Sequence, residues 1–340
     1  MSHNILEISL PELEDRFEQM NEARYRARQV FSWIYEKNAV DYEGMTSLPG
    51  GLREKLAVEF PFPVLDGTER RNSADGTVKF GWSMSDGERV ESAFIPMREH
   101  NTLCISSQAG CARACIFCAS GTGGLKRNLG CGEITAQVLH TQRELDTRIS
   151  HIVFMGVGEP FDNYDKVLGA ARMLNAENAF NIAARRITIS TCGVVPGIEK
   201  LSKEGRQFEL SVSLHAPDNE IRGRLMPVNR QYPLEVLIPA CRDYAEATNR
   251  QVTFEYVLAD GLNDTKAAAG RLADLLGGWL CKVNLIPVNP VVEAGLKPPE
   301  RERAKTFQGL LKRGGVHTTL RAPRGQDISA ACGQLRHGTG

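Results

Sequence analysis

Cys111-Ala112-Arg113-Ala114-Cys115-Ile116-Phe117-Cys118 puts three cysteines into one octet, just past a short apolar run. Three thiolates can each hold one iron of a [4Fe–4S] cube, whereas an electron-transfer cluster normally takes four. The iron left over suits a chelating ligand. Adenosylmethionine offers an amino group and a carboxylate for that opening, and an electron from the cluster can cleave it to a 5′-deoxyadenosyl radical. Structural zinc asks instead for four closed ligands, commonly in paired C-x₂₋₄-C units. No second such pair exists here, and the loop holds no histidine. Three inert, packed thiols are the other alternative, since free Cys behaves as a small hydrophobe. The spacing carries a mechanism that packing does not need, and it favours the cluster. Phe117, beside the last ligand, is placed to keep water away.

The sequence around this loop predicts an α/β chain. From about Asn101, strand candidates at Leu103–Ser106, His151–Met155, Arg186–Thr191, Phe208–Leu214, Gln251–Leu258, Lys282–Ile286 and Val316–Arg321 alternate with helical stretches. Such alternation implies parallel strands covered by helices. Six or so units suit a partial (β/α)6 barrel, whose functional residues belong at the C-terminal ends of strands. Ahead of it, residues 1–62 read as a helical accessory domain, with Val30, Phe31 and Ile34 on one face. Residues 63–100 read as a short β extension or linker, 101–336 as the barrel core and 337–340 as a tail.

At 340 residues with 42% hydrophobic composition the chain can bury a substantial core. No stretch approaches the ~18 apolar residues of a membrane span. The polar start Met1-Ser2-His3-Asn4 does not read as a signal peptide, so a cytoplasmic chain with no membrane partner is expected. Nine cysteines, an odd number, argue for a reducing compartment and for chemistry rather than a disulfide scaffold. The formal net charge of zero is not the balance of a general nucleic-acid binder. Local basic clusters such as Arg24, Arg26 and Arg28, or Arg321 and Arg324, read singly as solvated faces. A monomer is the default expectation.

Polar sets recur where a barrel would want them. Gly156-Val157-Gly158-Glu159-Pro160 follows the second barrel strand, Ser190-Thr191-Cys192-Gly193 the third, Ser211-Val212-Ser213-Leu214-His215 the fourth, and Asn284 through Asn289 the sixth. Each alone is matched by a bland reading: a tight turn, or a histidine satisfied within the core. Four such sets above one cysteine loop describe a cofactor site. Cys104 and Cys332 stand in distinctive settings, while packing is the default for Cys131, Cys192, Cys241 and Cys281. Sequence alone does not bring Cys104 and Cys332 together.

Arg28-Gln29-Val30-Phe31-Ser32-Trp33-Ile34-Tyr35, Val90-Glu91-Ser92-Ala93-Phe94-Ile95-Pro96, Cys104-Ile105-Ser106-Ser107-Gln108-Ala109-Gly110-Cys111, Gly124-Leu125-Lys126-Arg127-Asn128-Leu129 and Ala330-Ala331-Cys332-Gly333-Gln334-Leu335 together resemble the RlmN family of radical-SAM RNA methyltransferases, relatives of the Cfr resistance enzymes. The match runs almost end to end. The resemblance implies one [4Fe–4S] cluster per chain on Cys111, Cys115 and Cys118. It implies adenosylmethionine bound by Gly158, Glu159, Ser190, Ser213, Leu214, His215 and Asn289, with two molecules consumed per turnover. Cys332 would carry the methyl group as S-methylcysteine, Cys104 would resolve the enzyme–RNA adduct through a transient disulfide, and Glu91 would accept a proton. The implied substrates are adenosines of 23S rRNA and tRNA, methylated at C2, with a flavodoxin- or ferredoxin-type electron donor. Gly158-Glu159-Pro160 matches the RlmN pattern, whereas the Cfr pattern has alanine in place of Pro160. C8 methylation is the neighbouring alternative, and a non-catalytic iron–sulfur protein that binds RNA is the alternative of another class.

Overall fold

The structure is a computed structural model and describes residues 4–291 and 294–336; the expected 337–340 tail lies outside the described residues. The chain begins with three helices, α1 (Leu10–Gln19), α2 (Arg24–Tyr35) and α3 (Gly50–Glu59). Ser9 caps α1 in a reciprocal box with Glu12, which satisfies two of the donors a helix start leaves open. Val30, Phe31 and Ile34 of α2 are buried as their spacing requires. The hydrophobic core runs on from these helices into the rest of the molecule without a break.

The next three strands, β1 (Leu65–Asn72), β2 (Val78–Met84) and β3 (Arg89–Pro96), form an antiparallel meander. β3 pairs antiparallel with β4 (Asn101–Cys104), so this segment widens the main sheet instead of standing apart from it. A short hairpin, β5 (Gln108–Gly110) with β6 (Leu125–Asn128), then brackets the cysteine loop. Alternation follows: α4 (Cys131–Leu145), β7 (His151–Phe154), α5 (Tyr164–Asn175), β8 (Ile187–Thr191), α6 (Val195–Leu201), β9 (Glu209–Ser213), α7 (Asn219–Leu225), α8 (Leu234–Thr248), β10 (Val252–Leu258), α9 (Lys266–Leu276), β11 (Cys281–Pro287), α10 (Arg301–Arg313) and β12 (His317–Leu320).

Among the described residues the ten strands other than the β5–β6 hairpin share one sheet in the order β1-β2-β3-β4-β7-β8-β9-β10-β11-β12, parallel from β4 onward. β1 and β12 are free edges in that order, so the barrel is open. Period-two alternation decides what faces its interior. Ile187 and Ile189 of β8 are buried while Ser190 is half-buried; Leu210 and Val212 alternate with Ser211 and Ser213 on β9. Register places Ser190 beside Ser211, Ser213 beside Glu255, and Glu255 beside Asn284. Two polar rows, two residues apart along β9, therefore run across four adjacent strands, and Ser211 Oγ links them by donating to Glu255 Oε1 at 2.9 Å.

Candidate active site

A cavity at the C-terminal ends of the strands gathers most of the expected residues. Its wall includes Cys111, Cys115 and Cys118 on one side and Gly158, Glu159, Ser190, Ser213, His215 and Asn289 on the other, with Cys332 at its edge. Leu214 is not on that wall. Its side chain is fully buried in the core and its N–H donates to Glu255 O at 3.0 Å.

The cysteine loop is held from several sides. Cys111 N–H donates to Gly124 O and Ile116 N–H to Leu225 O, both at 3.1 Å. Arg113 pairs with Asp162. All three thiols are free. Burial raises Cys111 to about 12 and Cys115 well above its ordinary value, and the negative charge of neighbouring thiolates adds to both shifts. Metal binding to such thiols must expel protons. Among the described residues no three His, Cys, Asp or Glu side chains are placed to hold a single ion. A cube takes one thiolate per iron, and all three cysteines line the same cavity.

The opposite wall is built for a polar ligand. Gly158 has φ +111°, and a Cβ there would lie 2.6 Å from Gln108 Cβ, so only glycine lets the turn seat. Glu159 is buried; its Oε1 accepts from Phe161 N–H at 3.0 Å and its Oε2 from Cys192 N–H at 2.7 Å. Burial still raises its pKa. The carboxylate lies on the cavity wall, where it can accept from a ligand N–H.

His215 is not a fully satisfied core histidine. Its Nδ1 accepts from Val257 N–H at 3.0 Å, which puts the ring proton on Nε2. Nε2 is buried and has no partner. Burial and the charge of Arg222 push the imidazole down to about 3, so it is neutral and presents one N–H to the cavity. The ring packs edge-on against Phe117, with centroids 4.4 Å apart.

Sequence reasoning missed Glu255. Its Oε1 accepts from Ser211 Oγ at 2.9 Å and Asn284 Nδ2 at 3.1 Å, while Oε2 is buried on the cavity wall without a partner. The signal was present: a carboxylate in the middle of the otherwise apolar run Val252–Leu258. Cys192, expected only to pack, also reaches the cavity wall. Two orphaned polar atoms, a glycine cradle and three convergent thiols fit a cluster with a zwitterionic ligand.

A second cavity, about 320 Å³, lies beyond the first and is lined by Met97, Cys104, Arg321 and Arg324 among others. Cys332, Met155, Ile286 and Asn289 face both. Asn289 Nδ2 donates to Cys332 O at 2.9 Å, and Ala119 N–H donates to Gly333 O at 2.7 Å. The segment bearing Cys332 is thereby tied to the cysteine loop and to the end of β11. Cys104 is buried, whereas Cys332 is enclosed by protein with its accessible surface opening onto the two cavities, and both are free thiols. Burial raises Cys104 to about 12, with the charge of Cys332 adding; burial and Glu255 raise Cys332 to about 11, and Arg321 opposes both shifts. Arg321 and Arg324 line this second cavity, Arg321 remaining exposed and Arg324 half-buried.

Glu91 sits elsewhere. It is buried on β3, paired with Lys79 Nζ at 2.9 Å, and its Oε2 accepts from Arg336 N–H at 2.8 Å. It does not line either cavity.

Residues 105–269 match the radical SAM superfamily model, and residues 3–60 match the ribosomal RNA large subunit methyltransferase N-terminal domain. A "probable dual-specificity RNA methyltransferase RlmN" of Bacillus thuringiensis (strain Al Hakam) is 45% identical over 336 residues, 98% of this chain and 93% of that protein. The protein of the same description from Bacillus anthracis (strain A0248) matches equally. The crystal structure of a radical SAM methyltransferase from Sphaerobacter thermophilus superposes with a TM-score of 0.95 at 46% identity, covering 98% of this chain and 99% of that one. With the cysteine loop, the glycine cradle and the open barrel all in place, the chain belongs to the RlmN family of radical SAM RNA methyltransferases.

Proposed function

We propose that this chain methylates C2 of adenosine in 23S rRNA and tRNA, with Cys332 as methyl carrier and Cys104 as resolving thiol. The observation that carries the reading is the position of Cys332 between two cavities, one walled by the three loop thiols and the other by Cys104. A carrier must meet the methyl donor on one side and the base on the other.

Cys111, Cys115 and Cys118 would hold one [4Fe–4S] cluster, and Gly158, Glu159, Ser190, Ser213, His215 and Asn289 would hold adenosylmethionine. Together these groups would supply a methyl cation equivalent from one adenosylmethionine and a hydrogen-abstracting radical from a second. The chain's own work is different in kind. Cys332 Sγ must lose its proton before it can take a methyl group, because the thiolate is the nucleophile. Asn289 fixes the Cys332 backbone so that its sulfur faces both cavities. The Cys104 thiolate attacks the alkylated Cys332 sulfur: the S–S bond forms as the S–CH2 bond breaks, and the methylene carbon on the adenine keeps that electron pair and takes up a proton to leave as the methyl group. Arg321 stands by both sulfurs and favours their ionised forms. The second cavity would hold the flipped adenine, whose unstacking costs a few kcal/mol, less in an unpaired loop. For Glu91 as proton acceptor, the ion pair with Lys79 must open or relay.

The reading extends to residues 1–62 as an RNA-docking element. It also takes in a flavodoxin- or ferredoxin-type donor, a monomer and a cytoplasmic setting. No helix among the described residues is long and apolar enough to cross a membrane. Intact-chain mass spectrometry with methyl-labelled adenosylmethionine tests the carrier: the label should reside on Cys332 before RNA is added. A Cys104→Ala chain should accumulate a covalent RNA adduct. Clean turnover by that variant, or by Cys332→Ala, would reject the scheme.

A further inference from the structure

Arg222, on α7, is completely buried and has no acidic partner. Its Nη1 donates to Asn229 Oδ1 at 2.7 Å and Tyr232 O at 3.0 Å; its Nη2 donates to Cys192 O at 2.9 Å and Ser213 O at 3.4 Å. All four acceptors are neutral, and Nε has no partner. Burial pulls the guanidinium pKa down, yet its ordinary value lies so far above neutrality that the group stays charged. A cation taken from water without an anion beside it is costly unless something supplies the missing charge.

Its surroundings point to where that charge enters. Cys192 and Ser213, whose carbonyls it grips, both line the first cavity. α7 is tied to the cysteine loop by Ile116 N–H donating to Leu225 O. The guanidinium is close enough to act electrostatically on Cys115 and Cys192. Gly193 makes room for it, since a Cβ there would stand 2.9 Å from Arg222 Nη2.

We propose that Arg222 is a positioning residue that serves as the buried counter-charge of the cluster held by Cys111, Cys115 and Cys118. It would raise the cluster's reduction potential by stabilising the reduced form, which carries one more negative charge. The inference rests on those three cysteines being the ligands. Its two Nη groups are engaged by the protein and it does not line the first cavity, so it acts through its field and does not touch the adenosylmethionine.

The test is an anaerobic titration of the reconstituted enzyme with dithionite as one-electron donor, the reduced cluster being read by electron paramagnetic resonance. For Arg222→Met and Arg222→Gln, the ratio of reduced to oxidised cluster at a fixed potential should fall at least tenfold, about 59 mV for a one-electron couple. Arg222→Lys keeps the charge and loses the fork, and its ratio should stay within threefold of the native enzyme. A neutral variant with an unchanged ratio overturns the proposal. So does a lysine variant that falls tenfold, and that arm decides alone if the neutral variants do not fold. Iron and sulfide content is measured first: a native chain that assembles no cluster removes the ligand assignment itself, whereas a cluster with an unmoved potential removes only the role of Arg222.

Discussion

The Cys332 thiol offers a quantitative test of the site. In the cluster-free chain, burial first and the Glu255 carboxylate second push it up to about 11, against the pull of Arg321. At pH 8 about one thiol in a thousand is then ionised, against about one in four for an ordinary thiol of pKa ~8.5. Higher basicity makes the thiolate a better nucleophile and recovers about 13-fold for a Brønsted slope near 0.45, so alkylation should be about 20-fold slower than for a free thiol. The rate should climb tenfold per pH unit up to about pH 10. Iodoacetamide labelling followed by peptide mass spectrometry separates Cys332 from the other cysteines. Glu255→Gln removes the second cause and leaves the first, so it should speed labelling at pH 8 without bringing Cys332 to ordinary reactivity. A rate that levels off by pH 9 in the native chain, or is unmoved in the Glu255 variant, would refute this electrostatic account.

Other outcomes follow from the same geometry. Lys79→Met strands the Glu91 carboxylate inside the sheet and should cost about 3–5 kcal/mol in urea unfolding; a loss under 1 kcal/mol would mean that the pair is not buried as described. Gly158→Ala drives a methyl group to 2.6 Å from Gln108 Cβ, and equilibrium dialysis should show adenosylmethionine affinity reduced at least tenfold. Native affinity in that variant would dismiss the cradle. His215 is held neutral down to about 3 while an unfolded histidine titrates near 6.5, so its contribution is complete above 6.5 and is lost as pH falls toward 3. Between pH 7 and pH 5 the native chain should lose about 2 kcal/mol that His215→Gln does not lose; equal losses would contradict the assigned tautomer and burial.

Much of the barrel could be read from the sequence because its signals are local. Apolar runs such as Val252–Leu258 and the polar sets at their ends are contiguous, and period-two alternation carries Ser190, Ser213 and His215 to one cavity. What escaped depends on pairing between distant segments. That β3 joins β4, making the residue 63–100 meander part of the main sheet, is fixed by register between Ala93 and Cys104. Glu91 resembles an exposed strand carboxylate until Lys79 is seen across the same face. Leu214 shares a motif with His215, but the strand's alternation sends its side chain into the core. Arg222 and Glu255 lie outside the motifs, and only the closed site shows one as a cation without an anion and the other as a carboxylate with a free oxygen.

The central claim is the product. The cluster is reconstituted anaerobically, and adenosylmethionine, reductant and unmodified 23S rRNA are added; the RNA is then digested and its nucleosides identified by mass spectrometry against standards. The account predicts 2-methyladenosine. 8-Methyladenosine would move the chain to the Cfr-type reaction despite Pro160, and an absence of methylated adenosine with adenosylmethionine cleavage intact would contradict the proposed substrate.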